Sequence, residues 1–220
     1  MTESVIERNF FKEIVEKAQK ELGVTFEGSS LNTKACLLGY VKVCLLKAKV
    51  VLIAEKYYRL EEFIDPLQLL EESSNSLKFV DELLHQFKEL RKFSETFLEE
   101  LKQEEGKLLE IRDSWRSFDK SIPFSKDERF KELFFKETAK ISSLREEFGN
   151  HKEFGDQKLS DLFLSFTMLA FSNKAPKASS EEIELFEKRL KEAISEKESV
   201  TEIIAQMFLE IDDLNDVLLI

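Results

Sequence analysis

Zinc binding and nucleophile activation draw most often on histidine and cysteine, and this sequence offers two of each: His85, His151, Cys36 and Cys44. Neither pair has the close spacing of a structural zinc site, which takes Cys-x₂-Cys or His-x₃₋₅-His. Glu82-Leu83-Leu84-His85 has the Glu-x-x-His spacing of half a di-iron site. That chemistry needs a second such motif and two further inward carboxylates, and no second Glu-x-x-His occurs. His151-Lys152-Glu153 has the His-x-Glu spacing of zinc deaminases but lacks their Pro-Cys-x-x-Cys partner. Six glycines in the whole chain leave no phosphate-cradling loop and no Gly-x-Ser-x-Gly elbow. The expectation is no catalytic residue, no metal and no cofactor.

The two cysteines carry information about compartment. They lie eight residues apart on one predicted helix, about 12 Å along its axis. A disulfide needs Cα atoms within about 7 Å, so the two thiols stay unpaired there. Unpaired thiols fit a reducing compartment. The start, Met1 to Arg8, alternates charges where a secretory signal would be basic and then apolar. No stretch of about 18 uncharged apolar residues occurs. A cytoplasmic protein is expected.

Charge is distributed unevenly. The chain has 33 Lys and Arg against 44 Asp and Glu, a formal net charge of −11. Between residues 31 and 60, however, six bases face the single acid Glu55. Five of them, Lys34, Lys42, Lys49, Lys56 and Arg59, fall within an arc of about 100° on a helix, a stripe about 37 Å long. Residues 201–220 carry Glu202, Glu210, Asp212, Asp213 and Asp216 and no base. The stripe reads as the solvated side of a buried helix, as a surface for anionic lipid, or as a site for an acidic protein. No nucleic-acid partner is expected, because the net negative charge repels it at long range.

These side chains need a scaffold, and the composition restricts it. Nine Gly and Pro residues in 220 leave few turns, and 20 Phe residues are too much aromatic surface to leave in water. A helix is predicted over about 3–22, opened by the capping-box spacing Ser4 to Glu7 and closed by Gly23. The run 32–63 contains Val41, Val43, Val50, Val51 and Ile53, yet Lys42, Lys47 and Lys49 and the absence of any turn signal favour one long helix, closed or kinked at Asp65-Pro66. From Val80, steps of three and four reach Leu83, Phe87, Leu90, Ser94, Phe97, Leu101, Glu104, Leu108, Ile111, Trp115 and Phe118. Ten of those twelve positions are apolar, which predicts a coiled-coil-like helix over 76–119. Apolar residues off the seam, such as Leu84 and Leu98, widen the stripe to that of a bundle of three or more helices.

A capping box at Ser125 predicts the next helix, broken near Gly149–Gly155 and resumed at Asp156 as a segment apolar on nearly every side. Such a segment lies in the core or under a partner. Residues 172–180 form the best linker, and Ser179 opens a final helix to about 218, with a restart allowed at Ser199.

Long helices joined by short connections make antiparallel neighbours. The expected fold is therefore all-α: an elongated antiparallel helical bundle with an N-terminal helical hairpin, in one domain over 1–220. Within it, 1–66 is the hairpin, 67–171 the central long helices, 172–180 the linker and 181–220 the C-terminal helix. The acidic final helix is expected to lie along the basic helix 32–63, within the chain or from a second copy. The function expected is a non-enzymatic helical interaction protein binding itself or other helical proteins. The alternative is a peripheral membrane scaffold that turns the basic stripe to anionic lipid.

Overall fold

A computed structural model describes residues 5–26, 33–68, 74–115, 118–119, 121–123, 126–149, 157–171 and 177–218. Every regular element in it is a helix: α1 (Val5–Leu22), α2 (Thr33–Glu61), α3 (Ile64–Gln68), α4 (Ser74–Trp115), α5 (Glu128–Gly149), α6 (Gln157–Phe171) and α7 (Ser180–Val217). The fold is an all-α helical bundle. The valine-rich stretch is helical throughout.

Local chemistry sets several helix ends. Gly23 takes a φ of 65°, and the Val24 amide donates to the Gln19 carbonyl at 3.1 Å, closing α1 in a left-handed cap. At the start of α7 the capping box is complete. The Glu182 amide donates to Ser179 Oγ at 3.2 Å, and the Ser179 amide donates to the Glu182 carboxylate at 2.7 Å. The cap expected at Ser4 and the one at Ser125 lie outside the described residues. For α5, Asp127 takes that role, its carboxylate accepting the Phe130 amide at 3.1 Å. Helix α7 runs without the restart allowed at Ser199. The Ser199 and Thr201 hydroxyls bond the Ser195 and Lys197 carbonyls one turn back, which satisfies them inside a continuous helix.

The chain divides into two compact units, each drawing on separated stretches: Met1–Lys49, Glu100–Leu144 and Phe208–Ile220 in the first, Val50–Glu99 and Arg145–Met207 in the second. In the first unit, Glu21 bonds the Tyr40 hydroxyl at 2.9 Å and Lys17 neighbours Cys44, so α1 and α2 run antiparallel. Phe11 of α1 meets Phe130 and Phe134 of α5 edge-on, with ring centres 6.1 and 5.3 Å apart. Leu101 and Leu108 of the predicted seam are buried here.

In the second unit, Phe79 packs on Phe163 and Phe93 on Phe148, so α4 is antiparallel to the chain that returns through α5 and α6. Asp81 pairs with Arg189 at 3.2 Å and Arg91 with Glu196 at 2.8 Å, so α4 and α7 are parallel. Val80, Leu83, Phe87, Leu90, Ser94 and Phe97 are all buried, as the spacing predicted. The buried line of α7 has a seven-residue repeat. Phe186, Ala193, Val200 and Met207, seven apart, take the centre, while Ile183, Leu190 and Ile194 are only half-buried.

Candidate functional site

The basic stripe does not form one accessible surface. Lys34 and Lys56 are buried at 4% and 3% exposure, Lys42 and Lys49 are half-buried, and Arg59 is exposed. Lys34 sits in the first turn of α2, where a cation opposes the helix dipole and requires an acid. Its ammonium group donates to the Asp127 carboxylate and to the Asp119 carbonyl, the latter at 2.8 Å. Burial of Asp127 by itself raises its carboxyl pKa. The bonds from Lys34 and the Phe130 amide outweigh that and hold it below the usual carboxylate range. The misplaced cation was the signal in the sequence; its acid partner, 93 residues away, was not.

The acidic group behaves differently. Glu202, Asp212, Asp213 and Asp216 are exposed and Glu210 is half-buried. In the first unit α7 does lie against α2, where Leu218 meets Gly39. In the second unit Thr201 lies 2.9 Å from the Tyr57 hydroxyl, and Lys197 pairs with Glu61 at 2.7 Å. The expected α2–α7 neighbourhood therefore forms within the chain. The Lys197–Glu61 pair has the opposite polarity, a cation on α7 and an acid on α2. Glu202 and the three aspartates lie off the apolar line of α7 and so face solvent.

The remaining polar candidates occupy ordinary positions. Glu82 accepts a hydrogen bond from Gln86 at 3.2 Å, and His85 beside it is exposed. His151 lies outside the described residues. Among the described residues no group of three or more His, Cys, Asp or Glu side chains converges on a metal-sized space. Cys36 is buried, which pushes its thiol up to about 11. Burial also raises Cys44, the half-buried neighbour of Tyr40. Both thiols are unpaired and remain protonated at neutral pH.

Helix α6 carries the clearest exposed apolar feature. Its inner face holds Leu159, buried, and Phe163 against Phe63 and Phe79. On the other side Leu164 and Met168, one turn apart, are 61% and 67% exposed, with Asp161 and Ser165 beside them. The sequence had indicated this, since the segment is apolar on nearly all sides. No described helix is long and apolar enough to cross a membrane. Comparisons with protein-family models, curated proteins and solved structures returned no match.

Proposed function

We propose that this is a non-enzymatic helical interaction protein that assembles with itself or with other helical chains. The exposed Leu164–Met168 step on α6 carries the reading. Leu and Met at i and i+4 present adaptable apolar contact to a partner helix, and Met in particular accommodates imperfect fits. The unpaired thiols Cys36 and Cys44 favour a cytoplasmic setting. A lipid-facing stripe has less support, because the buried Lys34 and Lys56 ammonium groups do not reach a headgroup plane.

Sedimentation velocity over a wide concentration range tests the reading on wild type and on Leu164→Glu/Met168→Glu. The expected result is concentration-dependent association in wild type that the double variant loses with an unchanged melting temperature. A wild type that stays monomeric throughout, or a variant that associates equally well, overturns self-assembly through α6.

A further inference from the structure

Helix α6 lies within the second unit, and its two sides differ. The inner side is anchored by Leu159, which is buried, and by Phe163 against Phe63 and Phe79. At 100° per residue, the exposed Asp161, Leu164, Ser165 and Met168 share an outer arc of about 100°. Leu164 and Met168 are 61% and 67% exposed. Among the described residues, no other two exposed large apolar side chains stand one helical turn apart.

The polar groups of this strip suit it to being covered. The Ser165 hydroxyl already donates to the Asp161 carbonyl at 2.8 Å, so a partner lying over it strands no donor. Asp161 is the single charge between residues 160 and 168, in a chain that is 35% charged. A matching partner brings two apolar side chains one turn apart, with little charge beside them. Among the described residues of this chain, α6 itself is the element that offers such a pair.

Building on the reading of α6 as an assembly face, we propose that it docks on α6 of a second copy. The two helices run antiparallel about a two-fold axis midway between Leu164 and Met168. Such a contact is reciprocal, so Leu164 of each copy lies on Met168 of the other. The flexible thioether adapts to the branched leucine. Direction follows from Asp161. In the antiparallel pair the two Asp161 positions stand about 15 Å apart along the axis, beyond a screening length of about 8 Å. A parallel pair sets them side by side, where like charges repel.

Sedimentation velocity of full-length Leu164→Glu and Met168→Lys, each alone and mixed in equal amounts, tests the axis beside wild type. Across an antiparallel contact the mixture sets Glu against Lys at one end and keeps Leu on Met at the other. A parallel contact opposes 164 to 164 and 168 to 168, and gains no such pair from mixing. The expected result is that each variant alone loses the association of wild type and that the mixture regains it. If either variant does not fold, Leu164→Lys with Met168→Glu supplies the same complement with the charges exchanged. A mixture no more associated than its components, beside a wild type that associates, overturns the antiparallel axis and leaves assembly through α6 standing. Single variants that associate as wild type does overturn the contact itself. A wild type that stays monomeric overturns the second copy as occupant, and with it self-assembly.

Discussion

Tyr57 Oη and Thr201 Oγ1 lie 2.9 Å apart, although 144 residues separate them. Tyr57 is buried, and its hydroxyl also reaches the Glu61 carboxylate at 3.2 Å. Glu61 in turn accepts from Lys197. One short polar chain thus fixes the register of α2 against α7 in the second unit. Tyr57→Phe keeps the ring and removes the contact, and should cost about 1 kcal/mol in urea unfolding. An unchanged midpoint would show that the apolar surfaces set the register unaided.

Gly39 sits mid-helix, where glycine costs about 1 kcal/mol relative to alanine. A Cβ there would run into Leu218 Cδ2, so the glycine leaves room for the end of α7. Displacing Leu218, buried at 4% exposure, forfeits burial worth about 1.5–3 kcal/mol. Gly39→Ala should therefore destabilise the protein by about 1 kcal/mol. In a Leu218→Ala background the same change should stabilise it by a similar amount. A double-mutant cycle reads the coupling directly, and additive effects would remove the steric account.

Ser94 occupies a seam position of α4 at 0% exposure, and its hydroxyl has no hydrogen-bond partner among the described residues. A buried hydroxyl without a partner costs about 1–3 kcal/mol. Ser94→Ala should raise stability by about 1 kcal/mol, while Leu101→Ala, at an equally buried apolar position, should lower it by about 2–5 kcal/mol. Chemical denaturation of the two variants measures both. A loss at Ser94→Ala would mean that the hydroxyl bonds an ordered water.

Asp127 makes stability depend on pH in one direction. Its carboxyl is held below the usual range in the folded chain by Lys34 and the Phe130 amide, against the opposing effect of burial. Its contribution is complete above the unfolded value of about 3.9 and is lost as pH falls through the lower folded value. Melting temperatures of wild type and Asp127→Asn should differ by a constant amount from neutral pH down to about pH 4 and converge below it. A gap that widens on acidification contradicts the assigned ionisation.

The sequence by itself determined the helices and much of what they bury. Spacings of three and four from Val80 marked residues that are buried in α4, and the Ser179–Glu182 pair marked the start of α7, because periodicity and capping depend on neighbours within one turn. The surplus of apolar positions on α6 was likewise visible before any fold was known. The bases 34, 42, 49, 56 and 59 share a helix face by arithmetic alone. Which of them meets water was decided only by the tertiary structure, since it depends on elements distant in the chain. Lys34 is buried because Asp127 and the Asp119 carbonyl come to it across the α4–α5 connection, whereas Arg59 on the same stripe remains exposed. The polarity of the Lys197–Glu61 pair was settled in the same way. Helical periodicity is a property of consecutive residues, but the burial of a charge depends on the partner that folding brings to it.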